Sequence, residues 1–273
     1  MKILILGASG LVGSAIYKKL ADVKEYEVHG TYNRNKPEDF HDVHKWDIAD
    51  ITGLNELLSI TSPDVIISSL TGDFVQQFAA HKAIADYLKK SGGRMIFIST
   101  VNVFDGAAGG NHSEAALPYP LSQYGDFKKN CEEMLMWTLG KNCLIARLPK
   151  ILSNKDAENI TRHIEKGNGF YTNLFFNFNT PEKVAEAIKI CIEKNKSGIA
   201  HMVGRGYMSD ADWASQVLEK AGLTITYETM EMTAEKYCTA LGCNDMSKLR
   251  PSDDGGFYLT MVCTDKDLTE CCQ

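Results

Sequence analysis

Seven residues near the start of the chain restrict its fold more than any other feature: Gly7-Ala8-Ser9-Gly10-Leu11-Val12-Gly13. They follow a short apolar run, Lys2 to Leu6, that reads as a strand, and they open a stretch with helical spacing, Leu11 to Leu20. In a strand–turn–helix of this kind the first glycine permits the tight turn and the second lets the backbone approach a pyrophosphate. The third lets the helix pack close to the sheet. The free N–H groups and the positive end of the helix dipole then face the phosphates. The spacing is GxxGxxG, and it makes Gly7, Ser9, Gly10, Leu11, Val12 and Gly13 the expected cradle of a dinucleotide. The alternative is an ordinary glycine-rich turn.

The rest of the first 150 residues alternates strand and helix signals. Strands are expected at Glu27 to Thr31, Val43 to Trp46, Asp64 to Ser69, Arg94 to Ser99 and Asn142 to Arg147. Helices are expected at Ile51 to Ile60, at Phe74 to Lys90, and within Tyr119 to Leu139. This alternation implies an α/β fold, a doubly wound parallel sheet with helices on both faces. After Pro149 the pattern loosens. Thr180-Pro181 starts a helix, Ile199 to Val203 reads as a strand, and Ser209 with Asp212 caps a further helix. The tail from about Thr224 reads as polar and irregular. We therefore expect a dinucleotide-binding domain over 1–150, with 181–205 returning to it, and a smaller lobe for substrate over 151–180 and 206–273.

The net charge of −6 gives no basic footprint for nucleic acid. No apolar stretch reaches the ~18–20 residues that span a membrane, and the first apolar run is too short for a signal core. The cytoplasm is the expected location. Of eight cysteines, Cys131, Cys143 and Cys191 fall in apolar-periodic segments and read as small core residues. None forms a CxxC pair, so no metal is expected.

An NAD site places an acid about 20 residues beyond the glycine turn, for the ribose hydroxyl. This chain offers Thr31, Tyr32, Asn33 and Arg34 there. A guanidinium pairs with a 2′-phosphate through its planar fork, so NADP(H) is preferred and NAD(H) is the second choice. Arg34 as a solvated loop residue is the alternative. Asp47 and Ile48 follow the third strand, where a carboxylate can accept from the adenine amino group; a turn or cap aspartate fits the spacing too. Ser69, Leu70 and Thr71 after the fourth strand, and Ser99 at the end of the fifth, complete the expected cofactor contacts.

Tyr124 and Lys128 are spaced to share a helix face. A nearby ammonium favours the phenolate and can reach the nicotinamide ribose, so Tyr124 can exchange a proton with a carbinol oxygen while the cofactor moves hydride. Thr100 ends the fifth strand, where open α/β sheets bind ligands, and is expected to orient the substrate oxygen. Thr100, Tyr124 and Lys128 are the candidate catalytic set. Tyr124 and Lys128 are expected to touch the cofactor as well.

These motifs together resemble the extended short-chain dehydrogenase/reductases. The likeness is strongest to the dTDP-4-dehydrorhamnose reductase group, in the segments 99–106 (STVNVFDG), 120–128 (PLSQYGDFK) and 62–67 (SPDVII). It covers roughly residues 1–205. It implies a Rossmann-type domain, a smaller substrate lobe, the Thr-Tyr-Lys set, a sugar or nucleotide-sugar substrate, and a homodimer. Three features depart from the group. Val101 stands where an aspartate is usual, which would remove a polar group beside the substrate. Ser68 to Asp73 differ from the usual segment, and the C-terminal lobe carries no transferable motif. The leading expectation is an NADP-dependent keto reductase. A sugar epimerase and a non-catalytic NADP-binding regulatory subunit are the alternatives. Thr100-Val101-Asn102 lacks the Thr-Asp-Glu of dehydratases.

Other residues attract blander readings. His29, His41 and His44 read as surface or rim residues. The aromatic run Phe170 to Phe178 reads as packing. Arg147 either faces the site or pairs with a helix carboxylate. Trp137 and Trp213 are expected in the core.

Overall fold

The computed structural model describes residues 1–272 apart from Arg205 and Asn244. In chain order the elements are β1 (Lys2–Leu6), α1 (Leu11–Ala21), β2 (Glu27–Tyr32), β3 (Val43–Lys45), α2 (Ile51–Thr61), β4 (Val65–Ser68), α3 (Phe74–Ser91), β5 (Arg94–Thr100), α4 (Gln123–Leu139) and β6 (Cys143–Leu148). There follow β7 (Lys150–Ile151), α5 (Asp156–Glu165), β8 (Phe170–Tyr171), β9 (Leu174–Phe176), β10 (Phe178–Asn179), α6 (Pro181–Glu193), β11 (Gly198–His201), β12 (Met208–Ser209), α7 (Asp210–Lys220), β13 (Thr229–Met230), α8 (Ala234–Leu241), β14 (Phe257–Leu259) and α9 (Lys266–Cys271).

The chain divides into two compact units. The first comprises Met1–Ser99, Phe127–Arg147 and Pro181–Met202. Its seven-stranded sheet has the order β11-β6-β5-β4-β1-β2-β3. Strands β1, β2, β3, β4 and β5 pair in parallel, as do β6 and β11. Such strands are buried on both faces, which is why they read as continuous apolar runs. The strand pleat sends Leu4, Leu6 and Ile66 into a cluster with Leu54, Leu58, Ile84, Leu88 and Leu135. The opposite face carries α1 and α6, which pack on one another. Cys131, Cys143 and Cys191 are all buried, as expected of small apolar side chains.

The second unit comprises Thr100–Asp126, Leu148–Thr180 and Val203–Gln273. The stretch 100–126, assigned to the first 150 residues from sequence, thus belongs here. Its core gathers Val103, Phe104, Leu174, Tyr237, Phe257 and Leu259. Here the sequence expectation of an irregular tail needs correction. The segment beyond Thr224 builds β13, α8, β14 and α9. Its strands are too short to print a period, and β14 pairs with β9, some eighty positions back. Ser209 caps α7, accepting from the Asp212 N–H, as the spacing implied.

Trp137 is also corrected. It is 92% exposed. The buried positions of α4 are Gly125, Phe127, Lys128, Cys131, Glu132, Leu135 and Leu139, and Trp137 lies on the other side of that stripe. Trp213 is half-buried, and the Lys150 ammonium lies 3.4 Å from its ring centre.

Candidate active site

The glycine turn lines a cavity of about 310 Å³ in the first unit, together with Thr31, Tyr32, Asn33, Trp46, Ile48, Ser69, Leu70 and Thr71. Gly7 has φ of 80°, a left-handed conformation that a side chain strains. A Cβ there would also come within 2.7 Å of the Ser69 carbonyl oxygen. A Cβ on Gly13 would overlap the Gly7 carbonyl, so α1 can pack this close only without one. At Gly10 the surroundings are open apart from the Gly7 oxygen at 3.4 Å. The Gly7 N–H donates to Thr31 Oγ1 at 2.9 Å, which ties the turn to β2.

Of the expected cofactor contacts, Gly7, Ser9, Gly10, Leu11, Val12, Asn33, Ile48, Ser69, Leu70 and Thr71 line this cavity. Gly13, Arg34 and Asp47 do not. Gly13 serves helix packing, and Arg34 is exposed beyond β2. Asp47 behaves as a turn residue: it accepts from Ala49 N at 3.0 Å and from Asn33 Nδ2 at 3.2 Å. Thr31, Tyr32 and Trp46 were not chosen as contacts from sequence, although Tyr32 adjoins Asn33 and Trp46 adjoins Asp47. The set fits a dinucleotide: a side-chain-free cradle, a helix N-terminus and a groove along the strand ends.

Ser99, another expected contact, has its hydroxyl committed elsewhere. It donates to Glu132 Oε1 at 2.5 Å, and Glu132 is held by Arg147 through Nη2 at 2.6 Å and Nε at 3.0 Å. All three side chains are buried. Arg147 therefore follows the blander of its two readings.

Lys128, one helical turn beyond Tyr124 on α4, is buried and donates to the Ile98 carbonyl at 3.0 Å. Its ammonium lies 4.6 Å from the Phe97 ring centre. Burial pushes Lys128 down to about 8, against the pull of Cys131 and Glu132. The edge of the His81 ring meets Phe97 with centroids 5.0 Å apart, and His81 Nε2 lies 2.7 Å from Ser68 Oγ. Burial drives His81 down to about 3, so it is neutral.

In the second unit, Tyr124 hydrogen-bonds Thr100. Burial raises the Tyr124 phenol, and the Thr100 bond works the other way. Thr100 Oγ1 donates to Asn102 Oδ1 at 2.9 Å. Gly125 packs so tightly that a Cβ would overlap the Asn102 carbonyl. Val101 is buried in an apolar cluster with Val103 and Phe104. A second cavity, about 650 Å³, is lined by residues that include Asn111, Asn177, Tyr207, Cys263, Lys266 and Glu270.

His29 Nδ1 and His44 Nε2 meet at 3.3 Å, and His29 Nε2 lies 3.1 Å from Glu27 Oε1; among the described residues no group of three or more His, Cys, Asp or Glu side chains is arranged to hold a metal ion. The aromatic run is spent on packing: Phe175 stacks on Tyr258 at 4.5 Å and Phe178 on Trp213 at 6.0 Å. Among the described residues no helix is long and apolar enough to cross a membrane.

Residues 1–252 match the family described as RmlD substrate binding domain. The chain belongs to that family. The RmlD substrate binding domain family lies within the extended short-chain dehydrogenase/reductases, which are NAD(P)-dependent oxidoreductases. Among curated proteins the chain is similar to the dTDP-4-dehydrorhamnose reductase of Aggregatibacter actinomycetemcomitans, with 25% identity over 91% of this chain and 92% of that protein. It is also similar to methionine adenosyltransferase 2 subunit beta of Xenopus laevis, at 22% identity over 90% of this chain and 81% of the relative. Among solved structures it resembles dTDP-4-dehydrorhamnose reductase of Bacillus anthracis in complex with NADP. The TM-score is 0.70 and the identity 17%, over 85% of this chain and 84% of that one. The fold expected of the RmlD substrate binding domain family is the fold observed.

Proposed function

We propose that the chain is an NADP(H)-dependent reductase acting on a keto group of a sugar or nucleotide sugar, with Thr100, Tyr124 and Lys128 as its catalytic set. The reading is carried by the hydrogen bond between Tyr124 and Thr100, with Lys128 one turn further along the same helix. The relative named dTDP-4-dehydrorhamnose reductase supports the substrate class, and the NADP complex of the Bacillus anthracis protein supports the cofactor.

Gly7, Ser9, Gly10, Leu11 and Val12 would hold the pyrophosphate on the N-terminus of α1, and Ile48, Leu70 and Trp46 would border the adenine half. When bound, the nicotinamide supplies the hydride. Tyr124 donates its proton to the oxygen of the reduced carbonyl. Lys128 lowers the cost of the phenolate left behind. Thr100 orients the Tyr124 hydroxyl; its own proton is donated to Asn102, so its part is exercised through Tyr124.

The similarity to methionine adenosyltransferase 2 subunit beta favours a second reading, a cofactor-binding regulatory subunit. Tyr124→Phe separates the two. A reductase loses turnover with keto sugars, by roughly a hundredfold or more, and keeps NADPH affinity. Unchanged keto-sugar turnover in Tyr124→Phe, or no turnover in the unmodified protein, rejects the proposal.

A further inference from the structure

Helix α8 closes on Gly242, whose φ of 70° is the left-handed conformation that ends many helices. Two backbone bonds complete the closure. Gly242 N–H donates to the Thr239 carbonyl at 3.0 Å, and Cys243 N–H donates to the Cys238 carbonyl at 2.8 Å. This pairing is the Schellman motif, in which the residue after the glycine folds back onto the residue five positions earlier. Here both of those residues are cysteines, and both are thiols. The 2.8 Å bond also limits their separation. With ordinary backbone lengths their Cα atoms stand at most about 6.7 Å apart, inside the range of about 4.4–6.8 Å that a disulfide spans. Cys238 is buried in the apolar cluster of the second unit, and the half-buried Cys243 packs against that cluster. The Cys243 thiol donates to the Asp245 carbonyl at 3.4 Å, which leaves its sulfur an acceptor toward Cys238. Burial pushes the Cys238 thiol up, and Cys243 and Asp245 push it the same way.

We propose that Cys238 and Cys243 form a reversible disulfide, a redox-sensitive modification site at the C-terminus of α8. Tyr237, next to Cys238, donates to the Asp105 carbonyl at 3.1 Å, so the link forms beside the hydrogen bond that holds α8 to Asp105.

The oxidant is a low-molecular-weight disulfide such as oxidised glutathione. Cys243, the more accessible of the two, attacks first as its thiolate. The S–S bond of the small disulfide breaks, one small thiol leaves with a proton, and a mixed disulfide stands on Cys243. Cys238 then attacks the Cys243 sulfur, and its proton passes to the second departing small thiol. Two protein thiols are oxidised to one disulfide while one small disulfide is reduced to two thiols. Other cysteines are shielded from this exchange. Cys131, Cys143 and Cys191 are fully buried, and burial pushes Cys131 and Cys143 up to about 12, which suppresses the thiolate that exchange requires.

The test equilibrates the full-length protein in buffers of graded oxidised-to-reduced glutathione ratio, folded and in urea, then quenches with acid, unfolds and alkylates. Trypsin releases both cysteines in one peptide, residues 237–248, so the link reads as that peptide unalkylated and two hydrogens lighter by mass spectrometry. The folded protein should reach half-oxidation in a buffer at least roughly tenfold more reducing than the urea-unfolded chain requires, because the helix end holds the two thiols together only in the fold. A Cβ at Gly242 meets nothing within 4 Å, so Gly242→Val strains only the left-handed backbone, and it should remove most of that advantage. Equal midpoints for the folded and unfolded chain overturn the proposal. So does a glutathione adduct left on Cys243 in place of the link, a link from either cysteine to a different thiol, or an undiminished advantage in Gly242→Val. The measurement needs neither cofactor nor substrate, so it stands whatever the outcome for keto-sugar reduction.

Discussion

Glu132 and Arg147 form a two-pronged ion pair in the interior of the first unit, Arg147 Nη2 to Glu132 Oε2 at 2.6 Å and Arg147 Nε to Glu132 Oε1 at 3.0 Å, with both side chains shut off from water. The pair joins α4 to β6, and through Ser99 it reaches β5. It fixes the buried half of the helix that bears Lys128.

Breaking this pair should be costly because it leaves an uncompensated charge. Glu132→Ala should lower stability by about 3–5 kcal/mol, read from urea unfolding. Replacing both partners by apolar residues of similar size, Glu132→Leu with Arg147→Met, should cost far less. A loss under about 1 kcal/mol in Glu132→Ala would show that the pair contributes little to holding α4 on β6.

Two glycines of the turn should separate cleanly. Gly10→Ala leaves the fold nearly undisturbed, since only the Gly7 oxygen lies near a new Cβ, at 3.4 Å. It should nonetheless weaken NADPH binding at least tenfold, because the methyl stands where a pyrophosphate must approach. Gly13→Ala should lower both affinity and melting temperature, since its Cβ overlaps the Gly7 carbonyl. Fluorescence titration with NADPH and thermal unfolding read the two effects. Equal behaviour of the two variants would refute the division of roles.

Lys128, pushed down to about 8 from 10.5 by burial, predicts opposite pH trends for stability and activity. Between about 8 and 10.5 the unfolded chain keeps its proton and the folded protein has released it. Raising pH through that window therefore stabilises the fold, and the gain is lost as pH falls through about 8. Lys128→Met should lack this slope. Reductive turnover should instead fall above pH of about 8 as the ammonium discharges, and Lys128→Arg should move that fall to far higher pH. A wild-type profile flat to pH 10 would separate the charge of Lys128 from catalysis.

Arg34, exposed beyond β2, tests the cofactor preference. Arg34→Ala should weaken NADPH roughly tenfold and leave NADH unchanged, since only the 2′-phosphate would meet the guanidinium. Equal losses for both nucleotides would assign the preference elsewhere.

The doubly wound sheet, the glycine turn and the helical spacing of Tyr124 and Lys128 were legible in the sequence because each is local. A parallel strand buried on both faces prints an apolar run, and a turn without room for Cβ prints glycine. A one-turn spacing is fixed by helix geometry alone. What the sequence left open depended on partners far along the chain. Arg147 had two readings until β6 placed it against Glu132 of α4. Ser99 looked free to meet a cofactor until Glu132 accepted its hydroxyl. Trp137 looked like core, and only the buried stripe of α4 sends it to solvent. The short strands β13 and β14 have no period to display, and they exist through pairing with β8 and β9. Asn102 stood within the segment 99–106 without a role of its own. Its contacts, the carboxylate of Asp105 on one side and the hydroxyl of Thr100 on the other, are brought to it only by the fold, because neither partner is set by a local spacing.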